Sequence, residues 1–319
     1  MGRGRAALLP AVDRVLAPFV GVAGRLLRKV RELGVERMPA CKAALLRVGV
    51  FPIRDHYYEP QFDVRPGKRS LAADRPLPGI DLNVDAQLEL LDSMTFAEEL
   101  SDMPRHRPSD VAFYLENDSF IAGDAEYWYQ LIRLKKPRRI YEIGSGNSTL
   151  LAIQAIRMNQ TEDPDYTCEH VCVEPFEMPW LEGTGATIVR KMVEELDTSF
   201  FATLERDDIL FIDSSHVIRP QGDVLYEYLE LLPNLNNGVI VHVHDVFTPR
   251  NYPEMWLVDQ VRFWNEQYLL EAFLTQNDRW AVVGAVNYLR HHHFDRLLPV
   301  APFMTDHTEP GSFYIQKRA

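Results

Sequence analysis

Two short apolar runs end in side chains able to do chemistry. The first, "DDILFIDSSHV", closes at Asp213 with His216 three residues on, and the second, "GVIVHVHDVF", closes at His244 and Asp245. Apolar runs of this length read as strands of a parallel sheet buried on both faces. Ligands of such sheets lie beyond the carboxyl ends of the strands, so two neighbouring strands bring two carboxylates and two imidazoles to one edge. A divalent metal held there would lower the pKa of a hydroxyl and fix its position. A nearby base would take the proton. Asp213, His244 and Asp245 form the candidate metal triad, with Mg²⁺ or another divalent cation in mind. His216 is the candidate base, because histidine titrates close to working pH. Plainer readings stand beside these. Asp213 can serve only a cofactor or cap a turn, and His216 can be a loop histidine satisfied by backbone. His242 precedes His244 by two residues on the same strand face, so one of the pair can be merely packed.

A third run raises a ligand question of its own. In "RRIYEIGSGNSTLLAIQAI", a short strand-like segment turns through small residues into an apolar, helix-like one. Gly144 and Gly146 satisfy the first two positions of a dinucleotide loop, but Thr149 stands at the third, and no Gly-Lys-Ser/Thr follows to make a phosphate loop. What remains is Glu142, Gly144, Ser145, Gly146, Asn147 and Ser148. The glycines let backbone approach a ligand closely, and the acid at the strand end suits a cationic amine better than a pyrophosphate. The next strand, "HVCVEP", ends in Glu174, a carboxylate able to accept both hydroxyls of a ribose. An amine on one carboxylate and a ribose on the other describes S-adenosylmethionine.

On these residues the sequence resembles the class I S-adenosylmethionine-dependent methyltransferases over about residues 112–319. Glu142, Gly144 and Gly146 match the family's first motif and Glu174 its ribose-binding acid. Asp213, His216 and the His244–Asp245 pair are similar to the acid, base and adjacent ligands of metal-dependent O-methyltransferases of catechols and natural-product sugars. The chain departs from them at His244, where a carboxylate is more usual. The resemblance implies a cofactor cradle at Glu142, Gly144, Ser145, Gly146, Asn147, Ser148 and Glu174, and chemistry at Asp213 and His216.

The elements that must position these residues follow from patterning. Strands are expected near 139–143, 170–174, 186–190, 208–212 and 238–243, with helices between most of them, notably 148–157 and 222–232. "WAVVGAVNYL" and "GSFYIQKR" read as two more strands joined by a loop without a clear helix, a closing antiparallel hairpin. The expected fold is therefore α/β: a Rossmann-like seven-stranded sheet, mostly parallel, with helices on both faces and a helical N-terminal extension. The expected organisation is a basic amphipathic extension (1–50), an irregular linker or cap (51–110) with one helix at about 85–100, and the methyltransferase-like domain (111–319). A helix from Asp124 leads into the first strand. The aromatics Phe113, Tyr114, Phe120, Tyr127, Trp128 and Tyr129 near it are read mostly as core, with some available as a lid over the acceptor.

In residues 8–33, Leu9, Val12, Leu16, Phe19, Ala23, Leu26, Val30 and Leu33 alternate spacings of three and four, one apolar stripe on a helix that Pro18 should kink or divide. The stripe suits packing on the same chain or a sister subunit. Attachment to a membrane surface is the sharper alternative, with Arg25, Arg28, Lys29 and Arg31 favouring anionic lipid. "VLAPFVGVAG" after Arg3, Arg5 and Arg14 imitates a signal peptide, but Asp13 and Pro18 interrupt it.

Composition narrows the field. The net charge of −12 argues against a nucleic-acid surface, although residues 1–50 carry ten Lys/Arg against three Asp/Glu. The three cysteines form no disulfide framework, and "CEHVC", with Cys168, His170 and Cys172, lacks a fourth ligand for zinc. Reduced, part-buried thiols in the cytoplasm are expected. His291–His293 read as a solvated loop. The sequence thus points to O-methylation of a hydroxyl on a small molecule, such as a saccharide, glycolipid precursor or secondary metabolite, by a chain that can be a homo-oligomer. A non-catalytic S-adenosylmethionine-binding or assembly protein is the alternative. A mononuclear iron oxygenase is a third reading, and it leaves Glu142 and Glu174 without purpose.

Overall fold

The computed structural model describes residues 9–54, 60, 69–260 and 262–318. Arg3, Arg5 and much of the segment 51–68 lie outside them. The chain divides into two compact units, Met1–Lys68 and Arg69–Ala319.

Among the described residues the first unit contains two α-helices, α1 (Leu9–Leu33) and α2 (Pro39–Val48). Pro18 lies inside α1 without dividing it. Pro39 opens α2, where its missing N–H would have had no partner in any case.

The second unit begins with residues read from sequence as linker. They are laid against the sheet domain by specific bonds. Arg75 bridges to Glu271 and to the Arg250 carbonyl, while Gln87 of helix α3 (Val84–Ser93) accepts from the Ala285 amide. The helix expected at 85–100 is shorter, with Ala97–Leu100 forming a separate tight turn. Helix α4 (Asp124–Lys135) then leads into β1 (Arg139–Ile143), followed by α5 (Asn147–Glu162) and β2 (Glu169–Val173). The chain continues through β3 (Thr187–Val189), β4 (Ile209–Ile212) and helix α6. That helix starts at Asp223–Tyr226, widens into a π-turn over Glu227–Leu231 and closes at Leu232–Asn234. β5 (Ile240–Val243), α7 (Glu266–Leu274), β6 (Trp280–Ala285), α8 (Val286–His292) and β7 (Phe313–Lys317) complete it.

The seven strands lie in the order β3-β2-β1-β4-β5-β7-β6. β1 to β5 are parallel, and β7 runs antiparallel to both β5 and β6. Alternation along the strands builds two cores. Ile140, Ile209, Phe211, Ile240 and Tyr314 point to one face, and Tyr141, Leu210, Ile212, Val241 and Ile315 to the other. The order reverses between β1 and β4, so the crevice for a ligand opens where the turns after both strands meet.

The closing region corrects one expectation. β6 does not loop to β7. Val286–His292 forms α8, and Phe294–Leu297 a further helical turn. His291 and His292 therefore sit on a helix. His291 contacts Arg250 (2.7 Å) and Glu309 (2.9 Å), and His292 contacts Asp74 (2.7 Å), so they hold polar contacts to other segments and are not a solvated loop.

The aromatic run before β1 is core. Phe113, Phe120, Tyr127, Trp128 and Tyr129 are buried. Trp128 donates its indole N–H to the Ser148 carbonyl at 3.2 Å, which pins α4 to the first turn of α5. Deleting so large a buried ring typically costs about 3–5 kcal/mol.

Candidate active site

Gly144 is required by a close approach. Its φ is +82°, and a Cβ there would stand 2.1 Å from the Asp213 carbonyl oxygen. The amide of Asp213 donates to the Ile143 carbonyl at 2.9 Å, so the turns after β1 and β4 are held edge to edge. Gly146 differs. Its φ is −173°, an ordinary extended value, and nothing lies within 4 Å of where its Cβ would be. Neither strain nor internal packing explains a glycine at that position, whereas close approach of a ligand would.

A cavity of about 360 Å³ lies beyond these strand ends, lined among others by Gly144, Glu174, Met178, Asp213, Ser214 and Arg219. A second, of about 240 Å³, shares Met178 and is lined by Ser145, Gly146, Asn147, Tyr114 and Arg107. Glu174 is fixed by two backbone amides, Ser145 N at 3.2 Å and Phe176 N at 3.0 Å. A carboxylate has about four lone-pair sites, so two stay available for ligand hydroxyls. Among the described residues the Ser145 hydroxyl is buried without a hydrogen-bond partner. Asn147 reaches across to Asn117 and Ser119 at 3.1 and 2.8 Å.

Glu142 and Ser148 are not brought to either cavity. Glu142 is fully buried, and it accepts from the Ser148 and Thr149 hydroxyls at 3.0 Å each and pairs with the His170 ring. Its two oxygens are thus engaged within the protein. Its carboxylate ties the first turn of α5 to β2. Cys172 joins Glu142 and His170 in one buried group. Burial, with the Glu142 charge adding, pushes its thiol well above the usual range, so it behaves as a packed thiol. All three cysteines are free.

The chemistry-bearing cluster sits at the ends of β4 and β5. Asp213, His216 and Asp245 present ligand atoms that all lie within 4.8 Å of one another. His216 Nε2 is 3.2 Å from Asp213 and 3.6 Å from Asp245. Cis ligands of an octahedral Mg²⁺-type ion stand about 3 Å apart, given bond lengths of about 2.1 Å. His216, where sequence reading put His244, is the imidazole that falls in this close set. His244 stands beside the set, its Nδ1 at 3.6–3.7 Å from Asp245 and Asp213 and its Nε2 3.7 Å from Asp124. Both its ring nitrogens are buried without a hydrogen bond. His242 is the packed histidine of the strand. It bonds Ser312 at 2.8 Å and stacks on Tyr314 with ring centroids 4.1 Å apart.

Backbone strain marks the same residues. His216 and Asp245 have φ of +59° and +60°. Non-glycine residues pay for this conformation with about 1 kcal/mol or more, and such strain gathers at functional sites. The surroundings over-determine both turns. The His216 carbonyl accepts from the Asn265 and Glu266 amides, and a Cβ on Gly311 would stand 3.1 Å from the Asp245 Cα.

Three residues of this site escape sequence reading. Glu266, 50 residues from His216, accepts from its Nδ1 at 2.8 Å and from the Tyr228 hydroxyl at 3.0 Å. Asp124 accepts from the Gly311 and Ser312 amides, which sets the chain entering β7 against His244. Trp264 lies 4.3 Å from His216, ring to ring. Nothing local in the sequence marks any of them, since each acts across a long chain separation.

Charge is unevenly shared in the cluster. Burial works against a charged His216, but Asp213 and Glu266 outweigh it and hold its pKa well above the ordinary histidine value. Burial likewise opposes a charged His244, and Asp245 and Asp213 override it. For Asp213 burial is outweighed by His244 and His216, and its pKa falls far below the carboxylate range. Asp245 goes the other way, raised by burial with the Asp213 charge adding. Four carboxyl groups, Asp124, Asp213, Asp245 and Glu266, surround two imidazoles. That surplus fits a divalent cation.

The sheet order with a reversed β7 is that of the class I S-adenosylmethionine-dependent methyltransferases, and this chain has that fold. Residues 141–246 match a family model described as a methyltransferase domain. An uncharacterized protein of Archaeoglobus fulgidus is 28% identical over 173 residues, covering 50% of this chain and 76% of that protein. An O-methyltransferase from Bacillus cereus, solved in complex with SAH, aligns at 13% identity and TM-score 0.36 over 74% of this chain and 91% of its own. CalS11, a TDP-rhamnose 3'-O-methyltransferase in calicheamicin biosynthesis, aligns at 14% identity and TM-score 0.36 over 77% and 96%.

Proposed function

We infer that the protein transfers the methyl group of S-adenosylmethionine to a hydroxyl of a small molecule, with a divalent cation assisting. The convergence of Asp213, His216 and Asp245, with Asp213 also lining the cavity that holds Gly144 and Glu174, carries this reading. Glu174 holds the ribose hydroxyls, and Gly144 and Gly146 let the cofactor's chain pass close to the backbone. Asp213, His216 and Asp245 hold the cation, which when bound would polarise the acceptor hydroxyl and lower its pKa. With a cation in place of the Nε2 proton, Glu266 would keep the proton on His216 Nδ1 and leave Nε2 as a ligand atom beside the two carboxylates. Asp213, with a 38% exposed side chain, is the ligand that reaches open space, while His244 at 4% stays behind the site.

A further cavity of about 190 Å³ follows β5 and supports a hydroxyl-rich acceptor such as a saccharide. Asn251, Asn287, Arg250 and Glu309 line it beside Phe247 and Tyr252. Amides and charges over apolar ring faces match the alternating polar and apolar faces of a sugar.

The test is S-adenosylhomocysteine release on a panel of hydroxylated sugars and phenols, with EDTA and then with added Mg²⁺ or Mn²⁺. Turnover lost in chelator and restored by the cation supports the reading. Full turnover in chelator removes the metal from the reading. Activity unaffected by Asp213→Ala and His216→Ala removes the catalytic role of the cluster.

A further inference from the structure

We propose that helix α1 is an in-plane membrane anchor that lays its apolar face into the headgroup region of an anionic bilayer. The helix runs unbroken over 25 residues. Val15, Leu16, Phe19, Val20, Val22 and Leu26 on it are each 51–69% exposed. At about 100° per residue these positions, with Leu9, Val12 and Leu33, fill a continuous arc of about 160°. The sequence stripe at spacings of three and four covers only part of it, because Val20 and Val22 lie on either side of that stripe. A two-helix seam buries two positions per heptad, so a second copy of the helix would leave these two valines at its margins. Val30, in the middle of the arc, is buried within the protein, and a bilayer surface covers the exposed remainder.

Charge selects the kind of surface. The helix carries five Lys/Arg against two acids. Lys29, paired with Glu32, and Arg31, stacked on the Phe51 ring at 5.1 Å, stand at opposite edges of the apolar arc and place positive charge at both margins of the face. Glu32 is already engaged by Arg28 at 2.9 Å and Lys29 at 2.7 Å. Arg14 and Arg25 make no ion pair among the described residues and lie on the polar arc. Pro18 falls on that arc too, as do Gly21 and Gly24, which among the described residues have nothing within 4 Å of a Cβ. α2 continues the character, with Lys42 and Arg47 beside exposed Leu46 and Val48. Among the described residues no helix is long and apolar enough to cross a membrane, which leaves lying along one as the mode.

The full chain is mixed with vesicles of phosphatidylcholine alone or mixed with phosphatidylglycerol, and the bound fraction is read by flotation, without any need for activity. Partition into the anionic vesicles should be at least about tenfold stronger at low salt, and high salt should shrink that preference. The double variant Phe19→Asp, Leu26→Asp should lose about tenfold or more of that binding while keeping its affinity for S-adenosylmethionine, which confirms a folded second unit. A full chain that stays unbound, or that binds neutral and anionic vesicles alike, overturns the proposal. So does an oligomer in sedimentation velocity that the same two substitutions dissolve without any vesicle binding, since the face would then belong to a second copy.

Discussion

Replacing Glu266 by Gln separates the two roles open to His216. Glu266 is 1% exposed, and its Oε2 is 2.8 Å from His216 Nδ1. Its Oε1 accepts from the Tyr228 hydroxyl at 3.0 Å. Glutamine has the same shape. Its oxygen can keep the His216 contact, and its amide nitrogen can turn to Tyr228, whose hydroxyl then accepts. The fold is kept, and what disappears is the charge on the bond to the imidazole. Charge-assisted hydrogen bonds are worth about 1.5–3 kcal/mol and neutral ones about 0.5–1.5, so the loss is about 1–1.5 kcal/mol. That corresponds to about tenfold in affinity, in line with the 10–100-fold effect of altering a carboxylate behind a metal-binding histidine. Calorimetric titration with Mn²⁺ near neutral pH should show this weakening in Glu266→Gln. Tyr228→Phe is the control, expected to cost about 1 kcal/mol of stability and to leave Mn²⁺ affinity within a few-fold. Equal Mn²⁺ affinity in wild type and Glu266→Gln would refute the argument that Glu266 acts through His216 on a bound cation.

Glu142→Ala should destabilise the protein by about 3 kcal/mol in urea unfolding, because it strands the His170, Ser148 and Thr149 partners in a buried site; an unchanged midpoint with cofactor binding abolished would make Glu142 a direct ligand contact after all. Stability should also depend on pH through Glu126, which burial pushes up to about 7 although the Gly123 and Phe303 amides donate to it. A carboxyl raised in the folded state stabilises below its unfolded pKa of about 4.5, and this contribution is lost as pH rises through about 7. Wild type should therefore lose about 3 kcal/mol relative to Glu126→Gln between about pH 5 and 8, and a difference that stays flat across that range would show that Glu126 is ionised without cost.

The parts of the site that were readable in sequence are those encoded by neighbours in the chain. An acid, two glycines and an apolar helix in one run specify the turn after β1, and the apolar runs ending at Asp213 and Asp245 specify the sheet edge. What sequence missed depends on long-range packing. His216 and His244 are chemically alike, and only the left-handed backbone at His216 and the reach of Glu266 from α7 bring the first to the carboxylate pair. Glu142 has the residue type and position of a ligand contact, but Ser148, Thr149 and His170 close around it. The helix α8 was hidden because "VNYLRHH" is too short to show a helical period and follows β-forming residues without a break. Pro18 did not divide α1, because a proline needs only the loss of one bond and a local bend when the rest of the ladder continues.

The most direct test of the central claim is calorimetric titration with S-adenosylmethionine, comparing wild type with Glu174→Ala. Saturable binding by wild type, weakened at least about tenfold in Glu174→Ala through lost hydroxyl contacts, is the predicted result. No saturable binding by the wild-type chain would contradict it.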